Sequence, residues 1–244
     1  MENETKKDRK VRMLLYGDVG IGKSTFAAKI PNALIIDFEN GYEYIDGKER
    51  VADVKSILDY PDKNGFDELY KLIEKYDTIV IDTISNMCEV AKGHLSELPP
   101  EKGEPRNTRI DGSPSQSGWG WVIFSVHQFI NRLIRMDKNL IIIAHEKEVD
   151  EKEKARLNIT EEYTTVPLLS PKSLESIISS KVNIVSAMIP EKGTGKPKIL
   201  CVKGTRYKCK DRTKRFAKIS SDGKPVLYEP DFNEIKKVVN SDNV

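Results

Sequence analysis

Four nearly unbroken apolar runs set the framework of the chain, at residues 11–16, 33–38, 78–82 and 139–144. Each is short enough for a strand and lacks the polar alternation of a half-exposed one, so each is expected to be buried on both faces. Between them the spacing changes to that of helices. "KSTFAAKI" predicts a short helix stopped by Pro31, and "FDELYKLIEKY" lines up Phe66, Leu69, Tyr70, Leu72, Ile73 and Tyr76 on one broad face. "GWGWVIFSVHQFINRLIRMD" predicts a helix through Met136, with Val122, Phe124, Phe129, Ile130, Leu133 and Ile134 as core candidates. Strands and helices that alternate in this way predict an α/β fold: a mostly parallel central sheet with helices on both faces.

The C-terminal part has a different texture. Ser170 and Pro171 suit the N-cap and first turn of a helix over "PKSLESIISS". "VNIVSAM" and "KILCVKG" then predict a strand pair joined by the turn "IPEKGTGKP", and "DFNEIKKVV" a terminal helix. Residues 1–10 are expected to be a disordered tail and 11–244 a single domain. Two polar stretches, 96–118 and 146–162, are too long for simple connectors and are expected to be mobile loops on the ligand side of the sheet.

Composition narrows the partners. Forty basic against thirty-eight acidic side chains leave a net charge of +2, so any nucleic-acid contact must rest on a local patch. Three scattered cysteines, Cys88, Cys201 and Cys209, fit reduced thiols, and neither C-x-x-C nor H-x₃₋₅-H spacing is present to build a zinc site. No apolar run approaches the roughly 18 residues of a membrane span, and "MENETKKDRK" lacks the apolar core of a signal peptide. The expectation is a soluble, cytoplasmic protein.

The sharpest motif is "GDVGIGKST", which follows the first predicted strand and opens the first predicted helix. It has the G-x-x-x-x-G-K-[ST] form of a phosphate loop, and its nine residues, Gly17, Asp18, Val19, Gly20, Ile21, Gly22, Lys23, Ser24 and Thr25, are the candidate nucleotide-binding set. Glycines let backbone N–H groups close around a polyphosphate. The helix start adds unsatisfied donors, Lys23 is placed for the β and γ phosphates, the Ser24 hydroxyl suits Mg²⁺, and Thr25 falls beside the α-phosphate. The "GTGK" at residues 193–196 lacks both the spacing and the helix, and predicts only a hairpin turn.

"TIVIDT" delivers Asp82 to the end of an apolar strand, where its carboxylate can hold Mg²⁺ through water together with Ser24. Hydrolysis further needs a group that orients or deprotonates water on the far side of the γ-phosphate. Glu39, just past the second strand in "LIIDFENG", is the first candidate; Asp37, inside the strand pattern, suits a structural role better. His145, ending "NLIIIAH", can sense the γ-phosphate and relay it into the following loop. "CVKGTRYKCKDRTKRFAK" carries eight basic residues against the single acid Asp211, and reads as a solvated face, as phosphate-binding fingers, or as a nucleic-acid track with Tyr207 and Phe216 interleaved.

Together, "GDVGIGKST", "LIIDFENG", "TIVIDTIS", "NLIIIAHEK" and "RYKCKDR" resemble the ATPase core of the RecA-like recombinases, in particular the short phage branch that anneals single-stranded DNA. The resemblance spans about residues 11–215. It implies ATP and Mg²⁺ as cofactors, Glu39 as the water-activating base, the two polar loops as DNA-facing, and Lys208, Lys210 and Arg212 as groups reaching a neighbour's nucleotide. It further implies a homo-oligomer, ring or filament, with ATP at subunit interfaces, and a single-strand-binding protein as a further partner, with no membrane role. The family's sensor is often glutamine, so His145 departs from the pattern. Two other readings stand beside this one: a small-molecule or nucleotide kinase with residues 206–215 as a basic lid, and a nucleotide-gated DNA-loading adaptor with weak hydrolysis.

Overall fold

The computed structural model describes residues 8–45, 49–51, 63–97, 108–109, 111–156, 164–201, 206–216 and 225–241. Its strands are β1 (Arg12–Gly17), β2 (Ala33–Asp37), β3 (Arg50–Val51), β4 (Thr78–Asp82), β5 (Asn139–Glu148), β6 (Thr165–Pro167), β7 (Ile184–Pro190), β8 (Pro197–Leu200), β9 (Lys210–Asp211) and β10 (Val226–Tyr228). The helices are α1 (Lys23–Ala28), α2 (Lys63–Glu74), α3 (Ile84–Glu97), α4 (Gln116–Arg135), α5 (Glu151–Arg156), α6 (Lys172–Lys181) and α7 (Phe232–Asn240). The sheet runs in the order β10-β8-β7-β1-β5-β4-β2-β3, with β6 paired to β5 and β9 to β7. From β7 to β3 along that order every pairing is parallel, while β8 and β10 add antiparallel strands at one edge.

The apolar runs are buried on both faces because successive side chains point to opposite sides of a strand. Leu14, Tyr16, Ile79, Ile81, Leu140 and Ile142 pack with α2, α3, α4 and α6. Met13, Leu15, Val80, Ile141 and Ile143 face the other way and pack with α1 and α7 through Phe26, Ile30, Phe232 and Ile235. A continuous apolar run therefore serves two cores, and the mostly parallel α/β sandwich expected from the sequence is the observed fold. Cys88, Cys201 and Cys209 are free, buried thiols. Burial pushes the first two up to about 12 and the third to about 11.

Some details differ from expectation. Phe124 is 49% exposed and does not belong to the core. The buried positions of α4 are Gly118, Val122, Val126, Phe129, Ile130 and Leu133, and Phe124, two residues from both Val122 and Val126, is turned about 200° away at 3.6 residues per turn. Pro171 is the N-cap of α6 and Lys172 its first residue, one position later than the Ser170 cap expected. The stretch from Glu146 does not start as a loop: β5 continues through Glu148 because Thr165–Pro167 pairs with it antiparallel, and α5 follows. Of the two expected loops, residues 98–107, 110 and 157–163 lie outside the described residues, as do 1–7 of the expected N-terminal tail. Arg9 exchanges hydrogen bonds with the Asn240 side chain, its N–H donating at 2.7 Å and its carbonyl accepting at 3.2 Å. Among the described residues no helix is long and apolar enough to cross a membrane.

Candidate active site at the C-terminal ends of the strands

Register brings the motif residues together. Gly17 at the end of β1 is level with His145 of β5, and Asp37 at the end of β2 is level with Asp82 at the end of β4. Since β1, β5, β4 and β2 are adjacent and parallel, four strand ends open on one side of the sheet. Asp82 is thus separated from the phosphate loop by β5, whose His145 fills the interval. A cleft of about 160 Å³ lies there, lined by Gly20, Lys23, Ser24, Glu39, Asp82 and His145 among others.

The loop geometry explains its glycines. A Cβ on Gly17 would stand 2.4 Å from the Met188 carbonyl oxygen, so the loop leaves β1 too close to β7 for any side chain. Gly22 has φ +101°, a conformation other residues seldom adopt, and it caps α1. Lys23 is buried, and its ammonium donates to the carbonyls of Gly17 at 2.9 Å and Asp18 at 2.7 Å. Burial lowers its pKa, while the charges of Asp82, Glu39, Asp18 and Glu146 oppose that shift.

On the opposite wall, the Asp37 carboxylate is buried and organises the turn after β2. Its Oδ1 accepts the N–H groups of Glu39 at 3.0 Å and Gly41 at 3.3 Å, and its Oδ2 that of Tyr42 at 3.4 Å. This is an Asx-type turn, in which a strand-end aspartate uses its side chain to shape the following backbone. The Glu39 carboxylate so presented accepts a hydrogen bond from Thr83 Oγ1 at 2.6 Å, and the same Oε1 lies 2.7 Å from His145 Nε2. His145 is held in turn by its backbone N–H, which donates to Ser85 Oγ at 3.0 Å, and Ser85 donates to the Leu168 carbonyl at 2.8 Å.

Asp82 is buried, and its Oδ2 accepts the Tyr42 hydroxyl at 2.7 Å. Its Oδ1 has no hydrogen-bond partner among the described residues. Burial raises its pKa and the neighbouring Glu39 and Asp37 charges add to this, whereas the nearby Ser24 hydroxyl and the Tyr42 hydrogen bond work against it. A buried Asp82 oxygen without a hydrogen-bond partner, in the same cleft as the Ser24 hydroxyl and the Glu39 carboxylate, offers hard oxygen donors that suit Mg²⁺.

Beyond the loop a second cavity of about 440 Å³ opens between α1 and the β8 edge, lined by Thr25, Phe26, Lys29, Pro197, Glu229 and Pro230. It shares Gly22 and Thr25 with the cleft, so the two flank the phosphate loop.

Much of the basic stretch is elsewhere, although Arg206 pairs with Glu148, just past His145 on β5, at 3.3 Å. β9 pairs with the start of β7, Lys210 opposite Val185 and Asp211 opposite Ile184, and Arg212 donates its N–H to the Asn183 carbonyl at 2.9 Å. Gly17 is level with Met188, so Lys210, opposite Val185, lies roughly 10 Å and Arg212, beside Asn183, roughly 16 Å along the strands from the phosphate loop, toward the other end of the sheet. The chain's own fold does not bring them to the cleft. Lys203 and Lys218 lie outside the described residues.

Tyr42, Thr83 and Ser85 were not singled out from sequence. Thr83 had a readable signal, a hydroxyl immediately after the strand-end aspartate; Tyr42 and Ser85 had none beyond their proximity to Asp37 and Asp82.

Fold and cleft define a P-loop nucleotide-binding core of the α/β class. The chain matches the model of the AAA domain family AAA_24 over residues 9–216, and it belongs to that family. Membership implies nucleotide binding. No curated protein matches it. Solved structures similar to it include the RadB recombinase (13% identity, 81% of each chain covered, TM-score 0.44). A KaiC-like protein of the archaeon Pyrococcus horikoshii is similar too (15% identity, 79% of this chain and 78% of that one, TM-score 0.40). So is the flagellar accessory protein FlaH of Methanocaldococcus jannaschii (14% identity, 81% and 80%, TM-score 0.38).

Proposed function

We propose that the protein is a Mg²⁺-dependent ATPase that binds single-stranded DNA and acts, as a ring or filament, in phage-type homologous recombination or strand annealing. The observation that carries the hydrolytic part is the Glu39 carboxylate in the same cleft as Lys23, Ser24 and Asp82, fixed by Thr83 at 2.6 Å and facing His145 at 2.7 Å. The phosphate loop holds the polyphosphate, and the neighbouring cavity between Phe26 and Pro230 takes the nucleoside. Lys23, already desolvated, moves from the loop carbonyls to the β and γ phosphates. Ser24 and Asp82 would hold Mg²⁺, which would supply positive charge against the phosphate oxygens. Glu39 orients the attacking water and takes its proton. His145, bonded to that carboxylate and anchored through Ser85 to the segment after β6, senses the γ-phosphate and passes its presence toward the DNA-facing loops.

The location of Lys210 and Arg212, away from the chain's own cleft, supports a role across a subunit interface, completing a neighbour's site. It also counts against the kinase reading, which needs residues 206–215 to close over the transferred phosphate in the same chain. DNA would be held by phosphate contacts from the basic stretch and the polar loops, so binding is salt-sensitive and indifferent to sequence. A single-strand-binding protein is the expected partner on the same DNA.

Phosphate release measured with and without single-stranded DNA tests the reading. Stimulation by DNA is the expected result. Turnover that requires a small-molecule acceptor would replace it with the kinase, and slow turnover under both conditions with the loading adaptor.

A further inference from the structure

Asp82 offers two carboxylate oxygens, and the structure treats them differently. Oδ2 accepts the Tyr42 hydroxyl at 2.7 Å, and Oδ1 is buried without a partner among the described residues. A carboxylate is symmetric about its last torsion and can turn either oxygen outward unless something holds it. The Tyr42 phenol is that hold.

We propose that Tyr42 is a positioning residue for the metal site: its hydroxyl fixes the Asp82 carboxylate so that Oδ1 faces the cation held with Ser24. This rests on the reading of Asp82 and Ser24 as the Mg²⁺ site. Tyr42 is 3% exposed, its ring packs in the core beneath α1, and its backbone N–H is bound by Asp37. Burial, followed by the Asp82 charge, raises the phenol pKa, so the O–H stays a donor at neutral pH.

The same buried Asp37 carboxylate binds the Glu39 N–H. One turn therefore delivers, three residues apart, the carboxylate on the water side and the hydroxyl that sets the metal side. A shift of that turn moves both, so the relative placement of metal and water is built into a single local structure.

Tyr42→Phe keeps the ring and removes only the hydroxyl. The test measures Mn²⁺ affinity by electron paramagnetic resonance in the presence of ADP, together with fluorescent ADP affinity in excess EDTA, for wild type, Tyr42→Phe and Asp82→Asn. The expected result is Mn²⁺ binding weakened roughly five- to twentyfold in Tyr42→Phe, the loss of one hydrogen bond to a charged group, with metal-free ADP affinity unchanged. Unchanged Mn²⁺ affinity in Tyr42→Phe while Asp82→Asn weakens it would overturn the role of Tyr42 and leave the metal site intact. Unchanged affinity in both variants would remove the metal site and this proposal with it. An equal loss of metal-free ADP affinity in Tyr42→Phe would assign the hydroxyl to general packing and also overturn the proposal.

Discussion

Two charged regions of the molecule, the cleft at the strand ends and the basic stretch that runs from Arg206 beside Glu148 to Arg212 beside Asn183, handle their charges in opposite ways. In the cleft, Asp82 Oδ1 and His145 Nδ1 are buried without partners among the described residues, and Lys23 is bonded only to loop carbonyls that a phosphate can replace. In the basic stretch Arg206, Lys208, Lys210 and Arg215 are engaged within the chain. Lys208 pairs with Glu175 at 3.0 Å and Arg206 with Glu148 at 3.3 Å, and Lys210 donates to the Ser179 and Val182 carbonyls at the end of α6. Composition alone points to the second region as the place where a polyanion binds. Two of the five buried side-chain polar atoms without a partner among the described residues, which cost free energy to maintain, belong to the first, the others being Arg12 Nε, Thr165 Oγ1 and Ser186 Oγ. A site is marked less by how much charge it holds than by how much of that charge the protein leaves unanswered.

The strongest way to test this contrast is at Glu39. Glu39→Gln keeps the shape and a hydrogen bond to Thr83 but removes the proton acceptor. Hydrolysis is expected to fall by roughly a thousandfold, within the range for loss of a general base, while fluorescent ATP binding stays near wild type. Near-normal phosphate release by this variant would show that the cleft's free carboxylate is not the base.

Arg212 tests whether the second region works only in company. Arg212→Ala is expected to lose about a hundredfold in hydrolysis, the usual effect of removing one group that stabilises transition-state charge, as is Lys23→Ala. Mixed together, the two inactive variants should regain activity, because some interfaces then join an intact phosphate loop to an intact Arg212. A mixture as inactive as its components would argue against an interface site.

How far the sequence revealed this arrangement depended on whether a feature was local. The strands could be read because burial on both faces imposes uninterrupted apolar runs, and the positions of Lys23, Asp82, Glu39 and His145 followed from strand ends that a parallel sheet sets side by side. The end of β5 could not be read: "HEKE" is polar, and it is a strand only because Thr165–Pro167, distant in sequence, pairs with it. Phe124 misled because an apolar residue in a helix says nothing of its phase until the buried face is known. Tyr42 was hidden for a related reason, since its bond to Asp82 joins residues forty positions apart. The location of the basic stretch likewise depended on the antiparallel pairing of β9 with the start of β7, which no local pattern announces.

The smallest expected effect is at Lys210, and it bears most directly on the contrast. Lys210→Met removes an ammonium whose pKa is lowered by burial first, and then by the neighbouring Arg212 and Lys208. Losing that unfavourable environment stabilises the fold, but leaving the Ser179 and Val182 carbonyls without their donor destabilises it. Solvent screens the first contribution and the second is about 1 kcal/mol, so the net change in urea unfolding should stay below about 1 kcal/mol. Nucleotide affinity measured on dilute, separated subunits should not change. A manyfold loss of affinity under those conditions would mean that the Lys210 ammonium reaches the cleft of its own chain, and the division between an open site and an internally satisfied basic stretch would fail.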